Sequence, residues 1–205
     1  MHTGDPVIAL KRLAELLDGC GAGWVVGGST GLALRGAKLD QAPRDLDIYA
    51  DREAVPVIHA RLAAYAIDVP SDNETERYRS VLSHYRLDDT IVELVGDFRV
   101  VARGSTYRTE VGQSLYPYGD PVEAAGTTVK LVPLGHELIF NLLRDRMDRA
   151  RLAGQLIAAD ASRQLPILQA LIDRNQLTDD VARLAMRLAQ GQEPDGLSRS
   201  EEERV

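Results

Sequence analysis

The apolar positions of the chain follow two periods, and the switches between them mark out its elements. Val7, Ile8, Leu10, Leu13, Leu16 and Leu17 recur with helical spacing and stop at Gly19-Cys20-Gly21-Ala22-Gly23, which predicts a packing helix over Val7–Leu17. An apolar run from Trp24 to Val26 then breaks into Gly27-Gly28 and a small-residue segment, Ser29 to Arg35, in the order strand, glycine turn, helix. Asp45-Leu46-Asp47-Ile48-Tyr49 alternates as a strand does. Val55, Ile58, Leu62 and Tyr65 line one side of a helix expected over Arg52–Ala66, with Asp51 as its cap and a short strand reaching Val69. Thr75–Leu87 and Thr90–Phe98, on either side of Asp88-Asp89, are expected to pair as a hairpin.

Val100–Ala125 has no clear period and is rich in Gly, Tyr, Ser and Pro, the composition of a covering loop with short strands. Within it, Tyr116 or Tyr118 can be imagined stacking on a base or an acceptor ring. Thr127–Val132 reads as another strand, and Leu134–Ile157 as one long amphipathic helix built on Leu138, Leu142, Leu152 and Leu156. Helices over Leu165–Arg174 and Asp179–Leu188 follow, and Gln190–Val205 is polar enough to be expected disordered. The pattern implies an α/β core over residues 1–133, a C-terminal helical region over 134–189 and a tail over 190–205.

Three stretches carry candidate chemistry. Gly27-Gly28-Ser29 lets a backbone approach a ligand closely just where a helix begins, an arrangement suited to phosphate, though Gly-Gly also makes ordinary turns and Ser ordinary caps. Asp45 and Asp47 project from one strand face while Leu46 and Ile48 project from the other. Two neighbouring carboxylates repel each other, and a magnesium ion, which takes oxygen ligands from one or two carboxylates and substrate phosphates, removes the conflict. A solvated strand edge is the plainer reading of the same motif. Glu93 stands between Val92 and Leu94, with Ile91 and Val95 on its own face, so it needs either an arginine partner or a metal ion beside Asp45 and Asp47. Asp97 is the alternative third acid.

Taken together, Gly27-Gly28-Ser29, Asp45-Leu46-Asp47-Ile48 and Val92-Glu93-Leu94 resemble the signature of the nucleotidyltransferase (DNA polymerase beta-like) superfamily. The surrounding sequence is most similar to its small bacterial members, among them aminoglycoside and lincosamide nucleotidyltransferases and toxin-type enzymes of toxin–antitoxin pairs. The likeness runs from about Ala22 to Val95 and more loosely to Leu134–Leu152. The interval from the glycines to Asp45 is longer than the superfamily's usual one, an extension that the antibiotic-modifying branch shares. The resemblance implies a mixed sheet flanked by helices, and transfer of a nucleoside monophosphate from an NTP, with ATP the expected donor, to an acceptor hydroxyl with release of pyrophosphate. It implies two Mg2+ ions held by Asp45, Asp47 and Glu93. Gly27, Gly28 and Ser29 would sit on the phosphates, and Arg144 and Arg146 would face the triphosphate, although four arginines among Asp145 and Asp148 more commonly make a solvated face with weak ion pairs. Arg44 is a further phosphate candidate, its alternative being to pair with its acidic neighbours. An antibiotic, a tRNA end and a protein side chain all remain open as acceptors. So do Glu93, Asp97 and Glu137 as the base that takes the acceptor's proton.

Composition narrows this picture. With 24 basic and 31 acidic residues the formal charge is −7, which disfavours broad contact with nucleic acid and favours a cationic acceptor. The single cysteine, Cys20, excludes an internal disulfide, and with no apolar run of membrane-spanning length and no leader pattern at the N-terminus a cytoplasmic protein is expected. His2, His59, His84 and His136 lack metal-ligand spacing and are expected to be structural or exposed. The glycines after the first helix do not fit a dinucleotide fingerprint, which follows a strand and opens a helix. A non-enzymatic reading is the same fold kept as an interaction or antitoxin-like protein, and a metal-dependent hydrolase would explain the acids but not the Gly-Gly-Ser turn.

Overall fold

The computed structural model describes residues 5–192 apart from Ala125. Helix α1 (Pro6–Leu17) starts where the Asp5 carboxylate accepts the Val7 N–H at 2.9 Å and Pro6 presets the first turn. Strand β1 (Trp24–Gly27) runs directly into α2 (Gly28–Leu34), and β2 (Asp45–Ala50) follows. Helix α3 (Val55–Leu62) begins three residues later than its apolar period suggested and closes in a 3-10 turn at Ala63–Tyr65. Ala54 occupies its N-cap, so Asp51 is not the cap; the Asp51 carboxylate instead accepts the backbone N–H groups of Val111 and Gly112 at 2.8 and 2.7 Å.

Next come β3 (Ser71–Glu74), β4 (Tyr78–Leu87), β5 (Thr90–Ala102), β6 (Ser105–Arg108), a wide turn at Val111–Leu115, the single-turn α4 (Tyr116–Tyr118), β7 (Asp120–Ala124) and β8 (Thr127–Leu131). The strand expected near Val69 lies instead at Ser71–Glu74, where every residue is exposed and no apolar alternation announces it. Among the described residues, eight strands form one sheet in the order β3-β4-β5-β2-β1-β8-β7, with β6 paired to β5. β2 runs parallel to β5 and antiparallel to β1, and β1 runs parallel to β8.

One face of this sheet carries a large apolar cluster. Leu46 and Ile48 of β2, Val92 and Leu94 of β5 and Tyr85 of β4 are buried in one cluster with Leu10, Leu13 and Leu17 of α1 and Ile58 and Leu62 of α3. The alternate residues of β2 and β5, Asp45, Asp47 and Glu93, are only half-buried. The parity that buries the leucines therefore assigns the acids to the other face. A buried ion pair braces the glycine turn: Arg35, just past α2, donates to Asp120 of β7 at 2.8 Å and to the Val132 carbonyl at 2.5 Å, with both side chains about nine-tenths buried.

The chain divides into two compact units, the first comprising the described residues to Ala102 with Thr106–Pro133, the second Arg103–Ser105 with the described residues from Leu134 on. The second unit consists mainly of α5 (Leu134–Leu143), α6 (Met147–Ala159), α7 (Ala161–Arg174) and α8 (Asp179–Ala189). The helix expected over Leu134–Ile157 is thus two helices. Asp145 takes a left-handed backbone (φ 59°) that no helix tolerates, and Arg103 holds its carboxylate at 2.9 Å. Every residue of α5 is buried, which hides the polar periodicity that a surface helix would show. No helix among the described residues is long and apolar enough to cross a membrane. The expected disordered tail, all but Gln190, Gly191 and Gln192, lies outside the described residues, as does His2.

Removing one partner of the buried pair strands the other's charge. Asp120→Ala is expected to lower unfolding stability by about 3 kcal/mol in a denaturant titration, whereas exposed Asp180→Ala should change it by less than about 0.5 kcal/mol.

Candidate active site

The glycine turn and the carboxylate strand are built into each other. Gly27 of β1 pairs with Asp47 of β2, and the next residue, Gly28, has φ +64°, a backbone that favours glycine. A side-chain carbon on Gly28 would overlap the Asp47 carboxylate, so the missing side chain is what allows that carboxylate to lie against the turn. Ser29 is half-buried at the second position of α2. Thr30 is buried, and its hydroxyl donates to the Asp45 carbonyl at 2.8 Å, fastening α2 to β2.

From Asp47 a single row continues across the sheet. Asp47 is in register with Glu93 on β5, and Glu93 with His84 on β4. Asp45 is one step further along the same face, paired with Ile91. His84 Nε2 lies 3.8 Å from Glu93 Oε1, while its Nδ1 meets Asp68 Oδ2 at 2.6 Å and its backbone N–H donates to Asp68 Oδ1, also at 2.6 Å. Partial desolvation pushes the Asp68 carboxyl up, but the two hydrogen bonds from His84 outweigh it and hold the group below the usual carboxylate range. Of the four histidines expected to be structural or exposed, His84 therefore lies 3.8 Å from one candidate acid, Glu93. The two-residue turn at Asp88-Asp89, with both residues at positive φ, sets this pairing: if Leu87 faces Thr90, His84 must face Glu93.

The donor set consists of carboxylate oxygens, which suits a hard divalent cation such as magnesium. Among the described residues no group of three or more His, Cys, Asp and Glu side chains gathers into a metal cage. Asp45 and Asp47 are the residues that would hold such an ion, and Glu93 lies 3.8 Å from His84 rather than closing a three-carboxylate cluster.

The remaining candidates are not members of this row. Arg44 is exposed and donates to Gln41 at 3.1 Å. Asp97, the alternative third acid, accepts from Arg52 at 3.3 Å and Arg108 at 3.0 Å. Arg144, Arg146 and Glu137 belong to the second unit: Arg144 covers the Phe140 ring at 4.9 Å, Arg146 precedes α6, and Glu137 is buried and accepts from Asn141 at 3.2 Å. Tyr116 lies under the Lys130 ammonium at 5.4 Å and lines a groove of about 810 Å³ with Trp24, at the opposite end of β1 from Gly27. That position does not support the stacking role imagined for it.

The family described as aminoglycoside-2''-adenylyltransferase matches residues 9–113, just over half of the 205-residue chain and all of the row from Gly27 to Glu93. The chain belongs to this family. As a member of the aminoglycoside-2''-adenylyltransferase family it is a nucleotidyl-transferring enzyme, which sets aside the reading of an inactive interaction protein. Solved structures share its fold. A Thermotoga maritima protein described as a nucleotidyltransferase is 26% identical, with 70% of this chain and 87% of that one covered and a TM-score of 0.60. The antibiotic-resistance factor ANT(2'')-Ia in solution is 14% identical, with 82% and 91% covered and a TM-score of 0.50. No curated relative matches the chain.

Two outcomes test this geometry. Gly28→Ala should cost about 1–2 kcal/mol through its positive φ and weaken nucleotide binding, read by titration calorimetry, because the new methyl displaces the Asp47 carboxylate. For Asp68, whose folded pKa lies below its unfolded one, the stabilisation is present above the unfolded value of about 4 and lost as pH falls through the folded value. The Tm gap between the parent and Asp68→Asn should accordingly be full at about pH 6 and close toward about pH 2.

Proposed function

We propose that this enzyme transfers an adenylyl group from magnesium-bound ATP to a hydroxyl of an aminoglycoside, releasing pyrophosphate. The observation that carries the reading is the row in which the Asp47 carboxylate lies against Gly28 and stands in register with Glu93. Family membership supports the adenylyl donor and the aminoglycoside class. The formal charge of −7 supports a polycationic acceptor over a tRNA end, whose phosphates it would repel.

In this reading Asp45 and Asp47 would hold the ion. When bound, the ion neutralises charge on the triphosphate. Gly28 lets phosphate approach the backbone, and the Ser29 hydroxyl donates to the departing pyrophosphate. Glu93 stands beside Asp47 on the next strand and takes the proton of the acceptor hydroxyl. The hydroxyl oxygen bonds to the α-phosphorus as the bond from that phosphorus to pyrophosphate breaks. Asp97 is engaged by two arginines and Glu137 is buried, which favours Glu93 as the base of the three candidates. Arg44 is a further phosphate contact, while Arg144 and Arg146 enter only through the superfamily resemblance. Positioning and charge neutralisation supply the acceleration.

Asp47→Asn is expected to reduce adenylyl transfer at least about a hundredfold while leaving the melting curve intact or slightly raised, since it removes one of two repelling charges. Calorimetry with the parent should show magnesium-dependent heat on adding ATP. Transfer by Asp47→Asn at the parent rate, or no heat at millimolar nucleotide, would show the assignment to be wrong.

A further inference from the structure

Asp47 and Glu93 sit side by side on neighbouring strands and, as carboxylates, repel each other. Each carboxylate has a neighbour on a different element. Asp47 lies against Gly28 on the β1 side, and Glu93 leans to His84 on the β4 side, 3.8 Å from its Nε2. The imidazole is not free to swing. Asp68 grips it twice, Oδ2 on Nδ1 and Oδ1 on the backbone N–H of the same residue, both at 2.6 Å. A carboxylate on one ring nitrogen fixes the ring's orientation, so the other nitrogen is aimed at Glu93.

We infer that His84, gripped by Asp68, is a positioning residue that holds the Glu93 carboxylate away from Asp47, keeping open the gap in which the acceptor hydroxyl meets the α-phosphorus. This rests on the adenylyl-transfer reading above. His84 touches neither nucleotide nor acceptor in this account and acts through Glu93 alone. Asp45, Asp47 and the glycine turn, which hold the nucleotide, do not depend on it. Loss of the ring lets Glu93 move out of line with the hydroxyl, slowing chemistry and leaving ATP affinity as it was.

Steady-state adenylylation of an aminoglycoside by the full chain, with ATP and magnesium, tests this. His84→Ala should lower kcat by about tenfold to a hundredfold with KM for ATP changed by less than about twofold. His84→Gln, whose amide N–H can reach the same carboxylate, should recover to within about threefold of the parent. In a Glu93→Gln background, adding His84→Ala should cost less than about twofold more, because the partner it positions is already disabled. Asp68→Asn, which loosens the ring without removing it, should lower kcat severalfold and serves if His84→Ala does not fold. Parent-like kcat in His84→Ala, equal impairment of the Gln and Ala variants, or an undiminished penalty in the Glu93→Gln background overturns the inference while the adenylyl-transfer reading stands. A parent chain that transfers nothing to any aminoglycoside overturns both.

Discussion

Like charges held in register on adjacent strands set the terms for the first unit. Asp47 and Glu93 cannot slide away from each other, because a one-residue shift of β2 against β5 would turn Leu46 and Ile48 out of the core and carry the carboxylates into it. Each buried aliphatic side chain contributes roughly 1.5–3 kcal/mol, several times what an exposed charge pair exerts, so the apolar face wins and the acids stay where the alternation puts them. The repulsion is then relieved locally, by the bare glycine backbone on one side and the imidazole on the other. The face of β2 and β5 opposite the acids carries the buried Leu46, Ile48, Val92 and Leu94, while the acids share their own face with the buried Tyr49 and Val95.

The same strand is secured at both ends. Thr30 bonds the carbonyl of Asp45 at the start of β2, and Asp51, one residue past its end, clamps the turn at Val111–Gly112. The Arg35–Asp120 pair fixes the end of α2 to β7 from beneath. Gly28 is thereby caught between two anchored elements, and the approach of the Asp47 carboxylate to it is a property of the frame rather than of one rotamer.

Much of this could be read from residues alone. The period-two alternation of Asp45–Tyr49 placed both aspartates on one face, and the apolar runs located α1, α2, the β4–β5 hairpin and α7 and α8 to within a few residues. His84 was also legible: a two-residue turn at Asp88-Asp89 fixes which residues face each other, and counting back from it puts His84 opposite Glu93. The spacing of the histidines from one another carries no trace of that register. Other features left no local mark. Arg35 reaches a partner 85 residues away, and Asp51 one 60 residues away. The division between α5 and α6 turns on a single left-handed Asp145, with no proline or glycine beside it to mark the break. Strand β3 is polar throughout and owes its existence to pairing with β4 rather than to any preference of its own.

That last strand has a further consequence. The sheet begins at Ser71-Asp72-Asn73-Glu74 and ends at β7, where Pro121 lacks a backbone donor. A chain arriving at the first margin meets acidic side chains, and one arriving at the second finds an incomplete ladder. Both borders thus discourage recruitment of another strand, so the array is self-limiting and its long apolar interior does not template growth.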